Sequence, residues 1–147
     1  MSIYKTKIAA ETYIKPLGTT TLTAGPDTLR TINLQTFGQI HSAAIIISDA
    51  VLAGSTTVIW YGSDAISAGN LTEIAKITMT SAMNEGVLQI DGEDIGEAAE
   101  RAGLSAGFKS IQCKIDGANL DTIRSCIVVD PMHKYHNLTP SDVTVLT

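Results

Sequence analysis

Apolar and polar residues alternate along much of this chain with the two-residue period of β-strands. In Leu29–Leu34, Ile32 and Leu34 fall on one face and Thr31 and Asn33 on the other, which predicts a half-buried strand. Thr19–Thr23 and Thr28–Leu34 flank the turn-forming Ala24-Gly25-Pro26-Asp27, so the two segments read as a hairpin. His41–Ser48 is a nearly continuous apolar run, the pattern of a central strand, and Ala53-Gly54-Ser55 leads from it into Thr56–Tyr61, which is expected to pair with it. Further strands are predicted at Glu73–Thr80, Val87–Ile90, Phe108–Ile115 and Thr122–Val129; in the third of these Ile111, Cys113 and Ile115 share a face. Asp130-Pro131 is expected to end the last. One helix stands out, Ile95–Ala102, with Asp94 as its cap, Glu97 three residues on, and Gly103 at its exit. Val143–Leu146 returns to β-character as a tail or an added strand. This order predicts an all-β antiparallel sandwich or jelly roll with one short helix in a loop.

The chain has 147 residues, the size of one domain, and no repeat, low-complexity block or linker divides it. Residues 1–147 are therefore read as a single β-sandwich domain with an N-terminal arm (about 1–15) and a C-terminal tail (about 131–147). Charged residues make up 17%, below the roughly 25% of an average soluble domain, which leaves much neutral surface available for protein contacts. The net charge of −5 and the absence of a basic cluster weigh against nucleic-acid binding. The longest apolar stretch, Ala43–Ile47, is far shorter than the ~20 residues of a membrane-spanning helix, and no signal-peptide core opens the chain, so a soluble, unexported protein is expected.

Candidate chemistry is sparse. Cys113 and Cys126 lack the spacing of a redox or zinc motif; free thiols are expected, though a hairpin between their strands would let them face each other. His133-x-x-His136, preceded by Asp130, is the best metal-like arrangement, but residues three apart on an extended tail point to opposite sides. His41 reads as an edge histidine rather than a base, although a metal-holding jelly roll of the cupin type would need it as a third ligand. Glu93, Asp94, Glu97 and Glu100 are explained by the helix dipole, which favours anions at the N-terminal end by ~0.3–1 kcal/mol. There is no GxSxG elbow and no P-loop, so no enzyme is expected and no cofactor is implied. A sugar-binding module would need an exposed aromatic platform around Trp60 and Tyr61, yet Trp60 reads as core. Tyr4, Tyr13 and Tyr135 lie toward the two ends of the chain, where amphipathic rings suit docking onto another protein.

Leu29–Leu34, Ala43–Ser48, Thr57-Val58-Ile59-Trp60-Tyr61-Gly62-Ser63-Asp64, Ile74–Met79, Phe108–Lys114 and Ile127-Val128-Val129-Asp130-Pro131 follow in an order that resembles the small jelly-roll cement, or decoration, proteins that coat the heads of tailed bacteriophages. The acidic helical segment Glu93–Arg101 and the long tail depart from that pattern. The resemblance implies a non-enzymatic virion protein on the outer capsid surface, made in the host cytoplasm. It would bind the major capsid protein, bridge neighbouring subunits and associate with itself as a dimer or trimer, with multivalency supplying avidity. Tyr4, Ile8, Tyr13, Tyr135 and Leu138 are the expected contact residues. A carbohydrate-binding module of a phage fibre or tail is the alternative.

Overall fold

The computed structural model describes residues 13–34, 40–66 and 69–131. They form eight strands and a helix: β1 (Tyr13–Thr21), β2 (Gly25–Asn33), β3 (Ile40–Val51), β4 (Thr56–Ser63), β5 (Leu71–Met79), β6 (Gly86–Asp91), α1 (Gly92–Arg101), β7 (Ser110–Gly117) and β8 (Thr122–Pro131). The strands lie in two antiparallel sheets, β1-β8-β3-β6 and β2-β7-β4-β5. The pairings β1 with β8, β2 with β7, β3 with β6 and β4 with β5 are those of one long hairpin rolled up on itself. Such a double-sheet roll is the jelly-roll arrangement.

Every predicted strand is present between residues 13 and 131, but two predicted pairings are corrected. β1 and β2 are not a hairpin, because the chain crosses from one sheet to the other at Leu22–Ala24. Leu22 is buried there and exchanges backbone bonds with the β7–β8 turn: its N–H donates to Asp121 O at 2.7 Å, and Leu120 N–H donates to its carbonyl at 3.0 Å. β3 and β4 likewise sit in opposite sheets and do not pair. β3 is central as expected, held between β8 and β6. Two boundaries also move. β8 continues through Asp130 and Pro131, where Pro131 opposes Ile40, and β1 begins at Tyr13, inside the segment read as an arm.

The core lies between the sheets. Ile32, Ile45, Val58, Trp60, Ile90, Ile111, Cys113, Ile115, Ile127 and Val129 have no exposed surface. At about 1.5–3 kcal/mol per large apolar side chain removed from water, this interior is the main source of stability. Trp60 on β4 also joins the layers, since its indole N–H donates to the Leu88 carbonyl on β6 at 3.0 Å. The Phe108 ring packs directly on Gly62, leaving no room for a Cβ at that position.

α1 starts one turn earlier than predicted. Its cap is Asp91, the last residue of β6, whose carboxylate accepts from Asp94 N–H at 2.8 Å while Asp94 Oδ2 accepts from Asp91 N–H at 3.0 Å. Asp94 thus closes the capping box instead of opening the helix, because the strand end holds Asp91 extended with its side chain free to accept. The C-terminal end is as expected. Gly103 adopts φ +75°, Gly103 N–H donates to Glu100 O at 3.0 Å and Leu104 N–H to Ala99 O at 2.9 Å, a Schellman closure. Ile95, Ala98 and Ala99 are the buried face of the helix, set against the β5–β6 side of the sandwich.

Candidate interaction surface

Strand residues that point away from the core occupy the outer faces of the two sheets, and these faces differ in character. On the β1-β8-β3-β6 sheet, the register places Ile14, Val128, Ala44 and Gln89 in one row across the strands and Pro16, Cys126, Ile46 and Val87 in the next. Their neighbours Tyr13, Ile127, Val129, Ile45, Ile47, Leu88 and Ile90 are buried, so period two turns these eight outward. Ile14 is 61% exposed, Val87 58% and Ile46 37%. The two rows carry no charge. Charges stand beyond them: Asp130 and Asp91 in one row at one end, and Arg124 with Asp49 opposite it at the other. The outer face of the second sheet instead carries Lys114 on β7, with Lys76 and Glu73 on β5 paired at 3.5 Å.

Three of the four sheet edges are poor docking sites by comparison; the fourth, β5, is nine residues without proline, and Arg101 of α1 donates to its Glu73 carbonyl at 3.2 Å. The β1 edge is interrupted by Pro16 and a bulge between Pro16 and Gly18, and the β2 edge by Pro26 and a bulge between Thr28 and Arg30. Prolines and bulges blunt the unpaired ladder that an added strand would need. β6 is six residues long and runs straight into α1.

The opposite end of the sandwich is tied by one buried carboxylate. Asp121, 4% exposed, accepts through Oδ1 from Ala53 N–H at 3.0 Å and through Oδ2 from Ala118 N–H at 3.2 Å, with Thr56 Oγ1 at 3.5 Å from Oδ2. It links the β3–β4 loop to the β7–β8 turn. Leu120 in that turn takes φ +73°, in the left-handed region, and is 73% exposed. These contacts are structural; they present no group to a substrate.

Of the residues expected at contacts, Tyr4, Ile8, Tyr135 and Leu138 lie outside the described residues, as do His133 and His136. Tyr13 opposes Val129 at the start of β1 and is only 9% exposed, its ring part of the hydrophobic core. Segments 1–12 and 132–147 join the described chain at Tyr13 and Pro131, which lie on neighbouring strands at the same end of the first sheet. Among the described residues no three His, Cys, Asp or Glu side chains are grouped to hold a metal, and His41 stands exposed at the β3 bulge.

The platform expected of a sugar-binding module is not formed by Trp60. Its ring is wholly buried and its N–H is used between the sheets, leaving Tyr61 partly exposed on the other face of β4. The depression of about 640 Å³ beside α1 is lined mainly by small residues, among them Gly96, Ala99 and Gly103, with Leu104, Ser105 and Glu100 and no aromatic ring. Cys113 and Cys126 are free and lie in opposite sheets, so the hairpin that would have brought them together does not exist. Burial pushes both thiols up, Cys113 far more than the half-buried Cys126.

The outer apolar rows were missed by reading strands one at a time. Their signal was present in Ile45-Ile46-Ile47 and Cys126-Ile127-Val128-Val129, where alternation fails and both faces of a strand are apolar.

No family model matches the chain, and neither does any curated protein. Among solved structures it is similar to a subunit of the disulfide-linked pili that form Bacillus endospore appendages, with a TM-score of 0.50 and 13% identity over 80% of this chain and 85% of that one. Weaker likenesses extend to the infectious bursal disease virus VP2 subviral particle (TM-score 0.44, 12% identity, 86% of this chain and 34% of that chain) and to PirA (0.42, 9%, 81% and 92%). At such identities the likeness is one of fold, the two-sheet jelly roll.

Proposed function

We propose that this chain is a non-enzymatic structural subunit of a large protein assembly, and that it serves as a cement protein on the outside of a tailed-phage head. The observation that carries this reading is the uncharged, largely apolar centre of the outer face of the β1-β8-β3-β6 sheet, on a double-sheet scaffold whose described polar clusters are taken up by caps and loop ties. An apolar face of this kind fits contact with protein. The net charge of −5 gives no attraction to DNA. The resemblance in strand order to jelly-roll decoration proteins supplies the particular partner, the major capsid protein. Segments 1–12 and 132–147, joined to one end of one sheet, supply Tyr4, Ile8, Tyr135 and Leu138 as contact residues; Tyr13 is withdrawn from that set by its burial. A subunit that bridges several capsid copies gains its hold from multivalency, so no single contact has to be strong.

The test is co-sedimentation with undecorated heads purified from the source that encodes the chain. The expected result is pelleting that saturates at a fixed ratio to the capsid protein, together with heads that retain their DNA to a higher temperature. Protein that stays in the supernatant at every concentration overturns the capsid assignment.

A further inference from the structure

We infer that the C-terminal segment 132–147 folds back over the outer face of the β1-β8-β3-β6 sheet and covers its apolar centre in the free chain. The first argument is where the segment starts. β8 is a central strand, between β1 and β3, and ends at Pro131, so the segment leaves from the middle of the sheet, beside the face, and not from an edge. The apolar rows through Val128 and Cys126 begin directly behind that point. Lys134 to Leu138 is the same interval along the chain as Asp130 to Cys126, roughly 13 Å when extended. Met132 and His133 are therefore enough for the reversal, and Leu138 arrives over Cys126 and Ile46.

The second argument is charge. The row from which the segment departs holds Asp130 on β8 and Asp91 on β6, with Ser42 of β3 between them, and Glu93 and Asp94 in the first turn of α1 follow Asp91. Neither Asp130 nor Asp91 has an ion-pair partner among the described residues. The first charge the segment brings is Lys134, set between His133 and His136. Carboxylates two strands apart, about 10 Å, leave a place over Ser42 from which one ammonium is attracted by both. The far end of the face makes no such demand, because Arg124 and Asp49 stand opposite each other there.

The third argument separates the two terminal segments. Segment 1–12 joins the edge strand β1, and its charge nearest the face is Glu11, which the acidic row repels; Lys5 and Lys7 lie further along. The β5 edge, the one other place open to an added strand, belongs to the second sheet and already receives Arg101 at its Glu73 carbonyl. A segment lying over the face keeps it from other surfaces, and a partner that displaces the segment meets the face, Tyr135 and Leu138 together. The inference stands apart from the capsid reading: failed co-sedimentation sinks that reading and leaves this one untouched.

Cys126 reports the covering, since it lies on the face while Cys113 is fully buried. Maleimide labelling of the full-length native chain is followed at a dilution where the rate no longer depends on concentration. Tyr135→Ser/Leu138→Ser should speed labelling by about tenfold and Lys134→Glu by about threefold or more, and added salt should speed the wild type but not Lys134→Glu. Tyr4→Ser/Ile8→Ser should leave the rate at that of wild type. In a second measurement, mild oxidation of Leu138→Cys should join the new thiol to Cys126 within one molecule, seen as an unreactive Cys126 in a species of monomer mass, and Ile8→Cys should not do so. Unchanged far-ultraviolet circular dichroism identifies variants that have kept their fold. Equal rates in wild type and Tyr135→Ser/Leu138→Ser overturn the inference. Protection lost only in Tyr4→Ser/Ile8→Ser, or a Leu138→Cys chain that crosslinks only between molecules, also overturns it.

Discussion

Replacing Asp121 with Ala should be among the most damaging changes outside the apolar core. The carboxylate is 4% exposed, and its two oxygens accept from Ala53 N–H at 3.0 Å and Ala118 N–H at 3.2 Å. Hydrogen bonds to a charged group contribute about 1.5–3 kcal/mol each, and two such bonds set the upper limit near 6 kcal/mol. Ala53 and Ala118 are themselves exposed, so water can recover part of the loss at their amides. The backbone bonds from Leu22 N–H to Asp121 O and from Asp121 N–H to Ala118 O also remain. A net cost of about 2–4 kcal/mol follows, or roughly 4–16 °C in Tm for a domain of this size. Asp121→Asn should cost less, about 1–3 kcal/mol, because the amide retains one acceptor but turns a donor toward the second N–H. Denaturant unfolding of the two variants beside wild type, at unchanged m-value, measures both numbers. A loss below about 0.5 kcal/mol for Asp121→Ala would refute the argument that this carboxylate ties the loops.

Trp60→Phe removes the indole donor to Leu88 O and opens space between the sheets, and should lower stability by about 2–4 kcal/mol in the same denaturant assay. Leu120→Gly acts in the opposite direction: relief of the left-handed backbone outweighs the added freedom of the unfolded chain, so Tm should rise by the equivalent of about 0.5–1 kcal/mol.

How the fold was legible depends on the range of the interaction that decides each feature. Strand positions follow from local alternation: Ile111, Cys113 and Ile115 were assigned to one face and all three are fully buried. Gly103 marked the helix exit because left-handed backbone at that point is a local demand. The helix start was misplaced by one turn because Asp91 and Asp94 are both cap residues by type, and only the strand end that holds Asp91 extended selects the first. The pairing of β1 with β2 failed for a longer-range reason. Ala24-Gly25-Pro26-Asp27 is turn-forming whether the chain doubles back within a sheet or crosses to the facing one. The choice is made by partners some hundred residues away, Thr122–Val129 for β1 and Ser110–Gly117 for β2.

The same division runs through the functional surface. Low charge, an acidic balance and the lack of catalytic spacing are properties of the residues present, and they alone directed attention to protein contact rather than chemistry. The strands and the short helix were equally determined by neighbours in the sequence, through side-chain alternation and capping. Only the tertiary structure decided that Ile14, Val128, Ala44, Pro16, Cys126, Ile46 and Val87 form one continuous outer face, because four strands far apart in the chain must first be brought into register. Only it decided that Tyr13 is buried and Cys113 and Cys126 are kept apart, whereas Trp60 already read as core. Alternation states that a strand has two faces; which face meets water is set by the sheet packed against the other.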